Sequence, residues 1–246
     1  MRKIADIHLC EDEAFLARMR ADSVAVLFTG VAVAMAWGIA MTVLREVFAA
    51  PVAPFELGAV MGSPGDRLMG VEVPEHGVDL RWWVSLLIAI PATFAVHEVV
   101  HALFFRRYAP PGAQVKFGAN LNMGMIYASA EGVVYPRAAY LVIALAPSVV
   151  VTLLVAVLGI GIKWPLWAIV IATIHLSGCT GDWGYVRAIR ADPAIAYCED
   201  TAWGVVFYGA DERRRPRAPR SPSASRPARS RGEASGFSVV DGGRRP

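Results

Sequence analysis

The chain is short of charge. Asp, Glu, Lys and Arg make up 18% of its 246 residues, against about 25% in ordinary soluble domains. That deficit argues against a globule with water on every side. Cysteine is scarce as well: Cys10, Cys179 and Cys198 form no C-x-x-C pair and no closely spaced even set. A disulfide framework and a cysteine-rich zinc ribbon are argued against, and all three read as reduced thiols. No cleavable leader is visible. Glu11, Asp12 and Glu13 precede the first apolar run and no small-residue cleavage site follows it closely, so the first span is expected to stay attached. A folded basic face with interleaved aromatics is also missing, which argues against a nucleic-acid partner. The net positive charge belongs to the last 36 residues, which hold ten of the 24 basic and four of the 21 acidic side chains. No internal repeat is apparent, which disfavours a transporter built from two related halves.

What the chain has in abundance is apolar sequence, 55% of all residues. Four segments suit a hydrocarbon core about 30 Å thick, which takes about 20 helical residues. They are Val24 to Leu44, Trp82 to Phe105, Ala138 to Ile162, and the shorter Trp164 to about Gly181. Trp82, Trp83, Trp164 and Trp167 stand at segment starts, where interfacial aromatics anchor a span. Arg2, Lys3, Arg18 and Arg20 precede span one; Arg106, Arg107, Lys116 and Arg137 lie between spans two and three; Arg187 and Arg190 follow span four. This bias places both termini in the cytoplasm. Between spans two and three, Gln114–Gly118 and Met123–Ser129 read as a short β-hairpin. The expected fold is thus an all-α multi-pass membrane protein of about four transmembrane helices with that hairpin. Its expected divisions are a cytoplasmic segment 1–23, a membrane-embedded domain 24–210 and a disordered Arg/Pro/Ser-rich tail 211–246. Membrane lipids are the expected surroundings, and the arginine tail could also touch anionic lipid.

Inside span two stands His97-Glu98-Val99-Val100-His101. The helical repeat puts His97 and His101 on one face, where both imidazoles can reach one Zn²⁺, with Glu98 placed to take a proton from water on that metal. The competing reading is two buried histidines bonded to neighbouring helices and a protonated Glu98. Ionisable groups inside a span are expensive, and a chain that keeps three of them there usually uses them. A catalytic zinc needs three protein ligands, and the pentad supplies two. Spans two and four run in the same direction, so the end of span four, Ser177-Gly178-Cys179-Thr180-Gly181-Asp182, matches the pentad in depth. Asp182 is the natural third ligand, and the small residues before it would let span four approach closely. His175 is the rival; two turns earlier, it would sit about 10 Å deeper on a straight helix and serve as a packing or supporting residue. Glu131 and Asp200 are weaker alternatives.

These residues resemble the putative zincin peptidases, a family of small bacterial membrane proteins first catalogued as a domain of unknown function. They are distantly similar to the site-2 protease intramembrane metalloproteases. The resemblance rests on the pentad with Ala102-Leu103-Phe104-Phe105, on Lys116-Phe117-Gly118, on Ala146-Pro147 and on Gly181-Asp182, and covers about Val84 to Phe207. It implies that His97, His101 and Asp182 bind zinc and that Glu98 is the catalytic base. The longer Asn- and Pro-containing motif around the acid of site-2 proteases is absent here.

The expected function is a membrane-embedded zinc metallopeptidase acting on a peptide or membrane-protein substrate. The alternative is a non-catalytic membrane protein with a structural or regulatory metal site. Glu98 separates the two, because a structural site closed by four protein ligands needs no carboxylate base beside the pentad.

Overall fold

A computed structural model of the protein describes residues 1–9, 11–48, 67–68, 71–72, 80–120 and 125–210. In chain order the elements are β1 (Arg2–His8), α1 (Glu13–Glu46), β2 (Arg67–Leu68), β3 (Val71–Glu72), α2 (Leu80–Tyr108), β4 (Lys116–Asn120), β5 (Met125–Ser129) and β6 (Val134–Pro136). Then follow α3 (Arg137–Gly161), α4 (Pro165–Gly178), α5 (Thr180–Ala191), β7 (Ile195–Thr201) and β8 (Gly204–Gly209). The expectation for the 211–246 tail lies outside the described residues.

Among the described residues three helices, α1, α2 and α3, are long and apolar enough to cross a membrane. The α1 helix starts where Asp12 caps it, its side chain accepting from the Phe15 amide at 2.9 Å. None of its most apolar eighteen residues is buried, and Phe28, Met35 and Ile39 stand exposed. Helix α2 buries one stripe, Trp82, Leu86, Thr93, His97, Val100, His101 and Phe105. The spacing of that stripe is the four- and three-residue step of a helix face. Its other face, with Val84, Leu87, Ile88 and Leu103, is exposed and apolar. Polar in-facing and apolar out-facing surfaces are what lipid, rather than water, demands of a helix.

The predicted fourth span divides in two. Helix α4 has 14 residues, about 21 Å at 1.5 Å per residue, which falls short of the hydrocarbon thickness. It opens on Pro165 at its first turn, where a missing N–H does no harm, and stops at Cys179, after which α5 sets off at Thr180. Hydroxyls tie the break: Ser177 donates to the Ile174 carbonyl at 2.7 Å and Thr180 to that of Ser177 at 3.1 Å. Helix α4 packs against α1, α2 and α3. A Cβ on Gly178 would run into the Phe94 ring of α2, so this glycine sets how closely the two helices meet.

The all-α expectation needs correction. Besides the β4–β5 pair, in register from Lys116 opposite Ser129 to Asn120 opposite Met125, a four-stranded antiparallel sheet has the order β1-β8-β7-β6. Its first strand pairs with its last, His8 opposite Gly204 and Arg2 opposite Gly209. Strand pairing over two hundred residues leaves no local trace in a sequence, whereas a hairpin does. Gly204 is required at its position: φ is +148° and a Cβ would strike the Ile7 carbonyl oxygen. Arg137 locks the sheet to α3 by donating to the Asp192 and Ile195 carbonyls at 2.8 and 3.0 Å.

Two cores result. One lies between α2, α3 and α4, around Trp82, Leu86, Val151, Val155 and Ile171. The other lies between the sheet and the helix ends, around Tyr135, Tyr140, Ile143, Ile189 and Phe207. Residues that precede α1, precede α3 and follow α5 all meet in that one sheet. The site sits near the seam of the two cores.

Candidate metal centre

The pentad occupies the buried stripe of α2, so its two histidines point into the bundle while Val96 and Val99 point out. The four-residue spacing brings the rings of His97 and His101 to 4.8 Å between centroids. Asp182 comes from the first turn of α5, where the helix dipole favours an anion. Its Oδ2 lies 3.4 Å from His97 Nε2 and its Oδ1 3.5 Å from His101 Nε2. The structure therefore gathers the three residues that the sequence picked from two distant segments.

The donor set fits zinc. With Zn–N and Zn–O bonds of about 2.0–2.1 Å, the edge of a coordination tetrahedron is about 3.3 Å. The separations of the two imidazole nitrogens from the Asp182 carboxylate oxygens come within a fraction of an ångström of that edge. Three donors of this type, two imidazoles and a carboxylate, leave a fourth corner, which is the catalytic rather than the structural pattern.

Glu98 is half-buried beside them. Its Oε2 accepts from the Ala128 amide of β5 at 2.7 Å, so one edge of the hairpin is held against the pentad. A cavity of about 680 Å³ opens here, lined by His97, Glu98, His101 and Asp182, and on its far wall by Tyr140 and Asp200. Asp200 accepts from the Tyr140 hydroxyl at 2.9 Å. Burial pushes its carboxyl up to about 7, against the pull of that hydroxyl. Asp200 thus faces the same cavity without joining the ligand group, and Glu131 stands apart, 3.7 Å from Lys116 and exposed.

His175 lies much closer than the straight-helix spacing suggests. Its Nε2 is 3.0 Å from His97 Nδ1, on the side of that ring away from Asp182. The physical reason is the break at Cys179. Asp182 belongs to a new helix, so the depth of His175 cannot be counted back from it along one axis. On its other nitrogen His175 meets Thr152 Oγ1 at 3.3 Å. Cys179, buried and free, donates to the His175 carbonyl at 3.3 Å. Sequence reasoning missed the roles of Cys179, Thr152 and the Ala128 amide. Only the four-residue step from His175 to Cys179, equal to that of the pentad, could have signalled the first.

No curated protein and no solved structure is matched by the chain. Residues 90–197, which carry the pentad, the hairpin and Asp182, match the family model described as putative zincin peptidase.

Proposed function

We propose that the protein is a multi-pass membrane zinc metallopeptidase whose site lies near the cytoplasmic face. His97, His101 and Asp182 would hold the metal. A zinc ion so held supplies Lewis acidity toward a carbonyl and brings the pKa of water toward neutrality. Glu98 is the general base: Ala128 fixes one carboxylate oxygen, leaving the other to take a proton from water and return it to the departing amine. The cavity beside Glu98 has the volume for a short stretch of peptide. Helices α4 and α5 together complete a fourth, broken crossing, with both termini in the cytoplasm and a peptide or membrane-protein substrate reaching the site from there.

The observation that carries this reading is Glu98 itself, a carboxylate held by a backbone amide at the lip of a three-donor cluster. A structural metal site has no use for it. The deciding comparison is wild type against Glu98→Gln, purified in the same detergent, with zinc content and cleavage of fluorescein-labelled casein both measured. Equal zinc and a turnover loss of about 10²–10⁴-fold is the expected result. Undiminished cleavage by Glu98→Gln would overturn the assignment. Orientation is checked separately: reporter fusions after Arg107 and after Arg190 should both read cytoplasmic, and one near Asp66 external.

A further inference from the structure

His97 has donor groups on both sides of its ring. Nε2 faces Asp182 and His101, while Nδ1 faces His175 and Cys179. On this second side the three donor atoms form a triangle with two nearly equal sides. His97 Nδ1 and His175 Nε2 are 3.0 Å apart, and Cys179 Sγ is 3.7 Å from the first and 3.6 Å from the second. All three residues are buried. A single hydrogen bond between the two rings would explain the shortest side alone. It does not require a sulfur placed evenly between both nitrogens.

A metal does. With Zn–S of about 2.3 Å and Zn–N of about 2.0–2.1 Å, a tetrahedral site has N–S edges of about 3.5–3.6 Å and an N–N edge of about 3.3 Å. The two sulfur distances already match, and the rings need to part by only a few tenths of an ångström. The orientation of His175 is set from behind: Thr152 Oγ1 can accept from Nδ1–H, which leaves the Nε2 lone pair directed at the triangle. Two imidazoles and a thiolate are a softer set than the two imidazoles and carboxylate in front, suited to zinc and closed to magnesium or calcium.

We propose that His97 Nδ1, His175 Nε2 and Cys179 Sγ form a second zinc site, back to back with the first and sharing the His97 ring. Loading it displaces the Cys179 thiol proton, and with both sites filled the His97 ring gives up its remaining N–H proton and bridges as an imidazolate. The charges then balance: two divalent cations against Asp182, Cys179, Glu98 and the bridging ring. That neutrality is what a site inside an apolar bundle needs. The two ions bind with coupled affinity, because each withdraws electrons from the ligand the other uses. The site shares one residue with the proposed catalytic centre but does not depend on peptidase activity.

The test uses full-length protein in detergent, stripped with a chelator and titrated with Co²⁺. Two equivalents are expected, one of them bringing a thiolate-to-cobalt charge-transfer band. Cys179→Ser and His175→Ala should each halve the stoichiometry and abolish the band. His101→Ala should also halve it yet keep the band, which separates failure of this site from failure of the catalytic one. X-ray absorption of zinc-loaded wild type, which needs no variant to fold, should find one sulfur for every two zinc ions. A single equivalent with no sulfur ligand would overturn the proposal, and so would a thiolate band that survives Cys179→Ser.

Discussion

Helices α1 and α2 are both apolar and both long enough to cross a membrane, yet they do opposite things. In α1 the most apolar window is wholly unburied, with no ionisable side chain from Val24 to Leu44. In α2 a fifth of the window is buried, and the buried stripe of the helix carries His97 and His101 with Glu98 half-buried beside them. Hydropathy averages make the two look alike. The difference lies in angular placement: α2 gathers its polar groups on the stripe that meets α3, α4 and β5, and gives its remaining surface to apolar residues. A helix can carry three ionisable groups through hydrocarbon when all of them face protein.

The largest effect should come from the polar stripe. Asp182→Ala or His101→Ala is expected to release the zinc held by His97, His101 and Asp182, leaving only the ion on the His175 side, and to remove nearly all turnover, because two donors hold the ion poorly. Metal analysis after gel filtration checks this. Full zinc occupancy in Asp182→Ala would mean that α2 gathers its polar residues for some reason other than the metal.

Next comes the apolar part of the same stripe. Leu86 is 7% exposed within the core between α2, α3 and α4, and Leu86→Ala should lower stability by about 2–5 kcal/mol. Unfolding in a denaturing-detergent titration reads it. A negligible change would place Leu86 against lipid and erase the contrast between the two faces of α2.

A third test moves to the sheet, where an acid stands half-buried against the Tyr140 hydroxyl. Asp200 has an ordinary carboxyl value of 3.8 when unfolded and about 7 when folded. Between those values only the unfolded chain ionises there, so unfolding releases a proton. Its contribution to stability is complete below pH 4 and is lost as pH climbs to about 7, at up to about 1.4 kcal/mol per pH unit. Asp200→Asn should therefore lose less stability than wild type between pH 5 and pH 7. Parallel losses in the two proteins would show that Asp200 is ionised in the folded state.

The smallest effect should be in α1. Phe28 is 73% exposed, and Phe28→Ala should change detergent stability by no more than about 0.5 kcal/mol. A loss as large as that of Leu86→Ala would show that α1 buries this face against protein.

The same contrast explains what could be read in advance. Histidines four apart on a helix are a local pattern, so their shared face followed from spacing alone. Asp182 was reached by counting four expected crossings, which would bring the ends of spans two and four to one side; in the structure it meets the two histidines from the first turn of α5. Cys179 and His175 were hidden by the helix break between α4 and α5, which is tied by the hydroxyls of Ser177 and Thr180 and by no proline or charge. Strand β1 was hidden for a different reason. Arg2–His8 acquires its strand character from Gly204–Gly209, and no window of sequence contains both.

That pairing gives the protein an order of assembly. During synthesis α1 is made and can enter the bilayer long before residues 204–209 exist, so β1 waits without the strand it pairs with in the sheet. Leu9, Trp203 and Gly204 also line the cavity that holds the pentad and Asp182. The wall of that cavity is therefore among the last parts of the described chain to be built. A nascent chain halted before β8 carries every metal donor while its pocket still lacks a side, so the finished pocket exists only in chains whose synthesis has passed residue 209.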